Sequence, residues 1–260
     1  MSSARNLFGL DGRTVLVTGG SRGLGLQIAE ALGDHGARIL LSARKEEELK
    51  QAQAHLQARG IEADWFVADN ARPESAGALV DAALARMGRI DVLVNNAGAS
   101  WGAPAEDHPL EAWDKVFDLN VRGLFYLSQQ VGKRSMIPNG YGRIINVASI
   151  AGLRGNPPGT MRTIAYNTAK GAVVNFTRTL AGEWGPHGIT VNALAPGFFP
   201  SNMTAGLLKQ LGEKALIGNA PLQRMGGNED LKGAALLFAS DAGRHITGQI
   251  LAVDGGVSAV

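Results

Sequence analysis

The chain has 260 residues, no cysteine, 18% charged residues and a formal net charge of +2. That length suits one large domain or two small ones and is ample for a sizeable core. The lack of cysteine excludes a disulfide scaffold, a thiolate nucleophile and a zinc site built on sulfur. Five scattered histidines (His35, His55, His108, His187, His245) form no HxxxH pair, so no metal site is expected. The balanced charge contains no long basic run, which argues against a nucleic-acid partner. No apolar stretch reaches the roughly 18 residues a membrane span needs, and Met1–Leu10 lacks the apolar core of a signal peptide. The expectation is a soluble, cytoplasmic protein.

In chain order, apolar β-rich runs alternate with helical patterns. Strands are expected at Arg13–Thr18, Ala37–Ser42, Asp64–Ala68, Asp91–Asn95, Gly142–Ala148, Ile189–Leu194 and Gln249–Val253. Between the first of them lie amphipathic or polar helical runs at Leu24–His35, Glu46–Arg59 and about Pro73–Met87. Continuous apolar strands separated by helices imply a parallel sheet covered on both faces. No Pro/Gly/Ser linker and no internal repeat divides the chain. The expected architecture is α/β: one doubly wound, Rossmann-type domain over residues 1–260.

Between the first strand and the first helix stands Thr18-Gly-Gly-Ser-Arg-Gly-Leu-Gly25. Glycines there allow a tight turn and close approach of backbone to a pyrophosphate, while the helix N-terminus offers free N–H groups and a positive dipole. Gly19–Gly23 also fits the G-x-S-x-G nucleophile elbow, but that fold needs earlier strands and an upstream oxyanion loop. Only a dozen residues precede the strand here, so the hydrolase reading fails on order.

Cofactor type turns on the end of the second strand, where an NAD site usually carries Asp or Glu. This chain reads Leu41-Ser-Ala-Arg-Lys45, with no acid until Glu46. Arg44, helped by Arg22 and Ser42, is expected to clamp a 2′-phosphate. That favours NADP(H) over NAD(H). Glu46 is the residue that would reverse the preference if it approached the ribose.

Tyr166 and Lys170 are four apart in a helical pattern, which places both on one helix face. Of the three tyrosines, only Tyr166 has a lysine at +4. A neighbouring ammonium stabilises a phenolate and makes tyrosine a usable proton shuttle. Ser149 follows the fifth strand at its carboxyl end, where ligands of open α/β sheets collect. Asn120 falls on the apolar stripe of Trp113, Val116, Phe117, Leu124, Leu127 and Val131, so its amide either satisfies backbone groups or serves the site.

Together these positions resemble the short-chain dehydrogenase/reductase family over nearly the whole chain. The matches are T-G-x-x-x-G-x-G at Thr18–Gly25, Asp69, Asn95-Asn96-Ala97-Gly98, Asn120, Ser149, Tyr166-x-x-x-Lys170, Pro196-Gly197 and Val253-Asp254-Gly255-Gly256. The resemblance implies Tyr166 as general acid/base and Ser149 as the residue orienting the carbonyl. Lys170 would bind the nicotinamide ribose and lower the tyrosine pKa, and Asn120 would hold a water in a proton relay. It further implies cofactor contacts from Thr18, Gly19, Ser21, Arg22, Gly23, Leu24 and Gly25, and from Asp69 and Asn70 near the adenine. Asn96, Ala97 and Gly98 would line the adenosine ribose. Pro196, Gly197, Phe199 and Ser201 would meet the carboxamide region.

Two departures stand out: Asn70 replaces a common Val or Leu, and Arg154–Arg162 lengthens the Ser149–Tyr166 interval. The longer interval and Pro196–Thr204 are similar to bacterial members acting as gluconate 5-dehydrogenases or 3-oxoacyl-carrier-protein reductases. The implied function is NADP(H)-dependent interconversion of a ketone and a secondary alcohol, on a 3-oxoacyl thioester or a keto sugar acid. A non-catalytic NADP(H)-binding regulator is the alternative, and it would have less need of the full Asn–Ser–Tyr–Lys set. A substrate loop is expected at about 150–165 and a lid at about 197–220. Surplus apolar side chains on the helices of Asn120 and Tyr166 predict a homotetramer or homodimer.

Overall fold

The computed structural model describes residues 4–158, 160–201, 204–218 and 220–260. Parts of the expected loop and lid, Gly159, Asn202, Met203 and Asn219, lie outside the described residues. After a first turn α1 (Ala4–Leu7), strands β1 (Thr14–Thr18), β2 (Arg38–Ala43), β3 (Ala63–Val67) and β4 (Val92–Asn95) alternate with α2 (Gly23–Asp34), α3 (Glu46–Ala58) and α4 (Pro73–Met87). α5 (Leu110–Phe117), α6 (Leu124–Val131) and the short α7 (Ile137–Asn139) lead to β5 (Gly142–Val147). α8 (Ile164–Trp184) and β6 (Ile189–Pro196) follow, then α9 (Ala205–Leu211), α10 (Glu213–Ile217), α11 (Lys232–Ala239) and β7 (Ile250–Val253).

The seven strands form one parallel sheet in the order β3-β2-β1-β4-β5-β6-β7. Strands β1, β4, β5 and β6 are buried along their whole length, as expected for a sheet covered on both faces. One core layer packs Val15, Val17, Ile28, Leu32, Leu41 and Leu236, and the opposite layer packs Leu16, Leu79, Leu93, Leu127, Ile144 and Val191. Within β1, Val15 and Val17 face one layer and Leu16 the other, as the period-two geometry of a strand requires.

A buried polar line crosses the sheet centre. The Asn95 amide donates to Ser128 Oγ at 3.0 Å and to Asn146 Oδ1 at 2.9 Å, and Asn146 donates to Thr177 Oγ1 at 2.9 Å. Every member has a partner, so burial costs little and the strands are fixed to the helices in one register.

Strand order reverses between β1 and β4, so the loops leaving these two strands diverge and open a crevice at their carboxyl ends. Thr18 and Asn96 join the loops. Thr18 Oγ1 accepts the N–H groups of Asn96 and Ala97 at 3.1 Å each, and the Asn96 amide donates to the carbonyls of Thr18 and Gly19 at 3.0 Å.

Candidate active site

The glycine loop shows why its residues are small. Gly19 has φ +61° and Gly23 φ +56°, a region that L side chains rarely adopt. A Cβ on Gly25 would lie 2.4 Å from the Gly19 carbonyl oxygen and from the Asn96 amide nitrogen, whereas one on Gly23 would meet nothing within 4 Å. The loop is thus tightly closed on its protein side and open where α2 begins. The first N–H groups of that helix, on Gly23, Leu24 and Gly25, have no partner within the helix and suit an anion.

Beyond β2, Arg44 is exposed and makes no hydrogen bond or ion pair among the described residues, whereas Ser42 is fully buried with an unpartnered Oγ. Arg22 does not stand free. It pairs with Glu48 at 3.1 Å, and Glu48 also accepts from Ser21 Oγ at 3.3 Å and Lys45 Nζ at 2.9 Å. Glu46, the acid singled out from the sequence, pairs instead with Lys50 at 3.0 Å. The triple Glu46-Glu47-Glu48 is visible in the sequence as a risk to this site, but spacing alone does not say that Glu48, not Glu46, folds back over the distant loop.

At the end of β3, Asp69 Oδ1 accepts the Ala71 N–H at 3.2 Å. The Asn70 side chain is buried with Oδ1 unpartnered, and a Cβ on Gly123 would fall 1.9 Å from the Asn70 carbonyl oxygen. Two unpartnered buried polar atoms, Ser42 Oγ and Asn70 Oδ1, thus lie near the carboxyl ends of the neighbouring strands β2 and β3. The donor set and the open helix terminus fit an adenine dinucleotide.

Asn120 lies in a π-helical segment, Asp118–Gly123, between α5 and α6, and is 1% exposed. Its Oδ1 accepts the Ala99 N–H at 2.8 Å and its Nδ2 donates to the Ala99 carbonyl at 2.9 Å. The amide is tied to the loop after β4 by one donated and one accepted hydrogen bond. Single π-turns inside helices often accompany functional positions.

Ser149 follows β5 and accepts the Ala151 N–H at 3.1 Å, and its side chain is near enough to the Tyr166 hydroxyl to favour the phenolate. Lys170 lies one turn beyond Tyr166, its Nζ 5.6 Å from the centre of the tyrosine ring. A Cβ on Gly152 would come within 2.5 Å of the Lys170 carbonyl, which is how the turn after Ser149 packs flat on α8.

Burial dominates the electrostatics of this pair. Burial raises the Tyr166 hydroxyl above its ordinary 10, outweighing the nearby Ser149 side chain that lowers it. Burial also pushes Lys170 down to about 8, with Nζ donating to the Val147 carbonyl at 2.6 Å. Desolvation disfavours the charged form of each group.

Two further side chains named by resemblance make contacts within the fold. The Thr18 hydroxyl is spent on Asn96 and Ala97, so this side chain positions the crevice. The Phe199 ring is 4% exposed, and a Cβ on Gly226 would lie 2.4 Å from it, so the ring packs into the fold. Pro196 ends β6, and Gly197 packs against Asp254, where a Cβ would lie 2.7 Å from the Asp254 Cβ. Ser201 Oγ bonds Thr204 Oγ1 at 3.1 Å.

A family model described as enoyl-(acyl carrier protein) reductase matches residues 19–258. The chain is 39% identical over 254 residues to gluconate 5-dehydrogenase of Gluconobacter oxydans, covering 97% of each protein. The chain belongs to the short-chain dehydrogenase/reductase family. It is also 38% identical over 247 residues to a 3-oxoacyl-[acyl-carrier-protein] reductase of Chlamydia muridarum, covering 95% of this chain and 97% of the relative. A crystal structure of a gluconate 5-dehydrogenase from Burkholderia cenocepacia, in complex with NADP and tartrate, superposes with a TM-score of 0.93. That structure is 35% identical and covers 99% of this chain and 100% of its own. The chain is accordingly an oxidoreductase of this family, with the doubly wound parallel sheet expected from its sequence. No helix among the described residues is long and apolar enough to cross a membrane.

Proposed function

We propose that this oxidoreductase is an NADP(H)-preferring ketone reductase or alcohol dehydrogenase of the cytoplasm. The observation that carries the reading is the Ser149–Tyr166–Lys170 cluster at the carboxyl end of β5, beside the crevice where strand order reverses. The nicotinamide ring, when bound, supplies or accepts the hydride. Ser149 holds the carbonyl oxygen, and Tyr166 gives that oxygen its proton in reduction or removes it in oxidation. The raised hydroxyl pKa of Tyr166 keeps it protonated at neutral pH, which suits the acid role. Lys170 holds the nicotinamide ribose, and the Asn120 main chain holds the relay water. The glycine loop and α2 take the pyrophosphate, Asp69 and Asn70 the adenine, Asn96 to Gly98 the adenosine ribose, and Arg44 with Arg22 the 2′-phosphate.

For the substrate we favour a keto sugar acid over a 3-oxoacyl thioester. Similarity to the gluconate 5-dehydrogenase of Gluconobacter oxydans supports this preference. The cleft at the first turn of α8 is lined by Asn156, Arg162, Thr163 and Asn167 together with Glu106, Met161 and Ile164. Asn156 anchors the long loop there, donating to the Met161 carbonyl at 2.8 Å and to Thr163 Oγ1 at 3.1 Å. Incubating pure protein with NADPH and a panel of keto acids and 3-oxoacyl thioesters, while following loss of NADPH absorbance, tests the reading. Turnover of thioesters alone would reverse the substrate preference, and no turnover with tight NADPH binding would favour the regulator.

A further inference from the structure

Three donors from two separate elements converge on one carboxylate. Ser21 and Arg22 come from the glycine loop, Lys45 from the N-terminus of α3, and all three bond Glu48 within 3.3 Å. Glu46 and Glu47 do not share this place, since both pair with Lys50 at 3.0 Å on the outer side of the helix. A negative residue in a first helical turn is ordinary, because it complements the helix dipole. A side chain reaching back across 26 residues to the phosphate loop is not explained by that dipole.

Hydroxyl, guanidinium and ammonium are also the donors that a 2′-phosphate would recruit, with Arg44 exposed beside them. The Glu48 carboxylate therefore stands where part of that phosphate's charge would be neutralised. We propose that Glu48 is a built-in competitor for the 2′-phosphate, a specificity-determining residue that moderates the preference for NADP(H) over NAD(H).

The charge arithmetic gives the direction. Arg22, Arg44 and Lys45 supply three positive charges, and Glu48 cancels one before a dianion arrives. Arg22 must turn from Glu48 or share itself, and Glu48 remains close enough to repel the phosphate. A cofactor with a bare 2′-hydroxyl meets neither cost. The pairs are half-exposed, so the effect is modest.

This inference rests on the NADP(H) reading above, and the test separates the two. Dissociation constants are measured for NADPH, NADH, 2′,5′-ADP and 5′-ADP with wild type, Glu48→Gln and Arg44→Asp. Glu48→Gln is expected to tighten NADPH and 2′,5′-ADP by about three- to tenfold. NADH and 5′-ADP should stay within about twofold, and added salt should shrink the difference. Unchanged or weaker NADPH binding in Glu48→Gln overturns the competitor role, and weaker binding would make Glu48 a bridge that positions Arg22. If wild type binds NADH as tightly as NADPH and Arg44→Asp changes nothing, the cofactor reading falls. The competitor role then still stands or falls on whether Glu48→Gln moves the 2′-phosphate ligands alone.

Discussion

Lys170 donates its Nζ to the Val147 carbonyl at 2.6 Å, which ties the middle of the catalytic helix to the end of β5. The same burial holds Lys170 at about 8, below the 10.5 of a free lysine. The unfolded chain therefore keeps this proton after the folded chain has released it, and stability gained from the group rises with pH between those two values. Below pH 8 the cost of holding the buried charge is fully present. Lys170→Met removes it, so its stability relative to wild type should fall by about 2–3 kcal/mol between pH 7 and 10. Urea unfolding of both proteins across that range checks the trend, and a constant difference would contradict it.

Tyr166 carries its proton above the ordinary tyrosine range because its hydroxyl is desolvated. Ketone reduction needs the protonated form and should hold its rate through neutral pH. Alcohol oxidation needs the phenolate and should climb with pH to beyond 10. Tyr166→Phe should lower turnover by about two to four decades while cofactor binding persists. Pre-steady-state rates in both directions against pH test this, and a Phe variant with near wild-type turnover would end the mechanism.

The sheet was legible because its strands are unbroken apolar runs between glycine-rich turns, and α4 matches its expected limits at both ends, Pro73 and Met87. Asn120 was legible as a buried amide on an apolar stripe. The π-helical segment around it was not, because its extra residue per turn depends on Gly123 seating under the Asn70 carbonyl, a contact between distant parts of the chain. The reach of Glu48 to the glycine loop was hidden for the same reason. Its sequence neighbours are helical, and its partners Ser21 and Arg22 are brought close only by the parallel pairing of β1 and β2.

That seating makes Gly123 a sensitive position. A methyl group there would be forced to 1.9 Å from a backbone oxygen, which no side-chain rotation relieves. Gly123→Ala should destabilise the fold by about 2–4 kcal/mol and displace Asn70, weakening cofactor binding. Thermal unfolding combined with NADPH titration measures both. A variant with wild-type stability would show that the segment repacks freely.

Most of the apolar residues expected to exceed the needs of the core are in fact buried, including Leu124, Leu127, Val173, Val174 and Leu180. What remains is Phe125, 45% exposed, set edge-on to Phe176 with ring centres 6.2 Å apart. An isologous contact through this pair is the expected route to a dimer or tetramer. Phe125→Glu should shift the protein toward monomer in light scattering at micromolar concentration. A wild type that is already monomeric there would refute the assembly.

Cofactor choice rests on a group that the fold leaves uncommitted. Arg44 has no hydrogen-bond or ion-pair partner among the described residues, so replacing it breaks neither in the free protein. NADP(H) and NAD(H) differ only at the 2′-position, and a guanidinium binds phosphate oxygens in a bidentate way. Each charge-assisted contact contributes roughly 1.5–3 kcal/mol, or about one to two decades of affinity. Arg44→Asp should therefore weaken NADPH by that amount, leave NADH nearly unchanged and narrow or reverse the selectivity, because the new carboxylate also accepts from ribose hydroxyls. Steady-state kcat/KM with the two cofactors measures it directly. Equal or better efficiency with NADH in the wild type would remove Arg44 and Arg22 from the 2′-phosphate site.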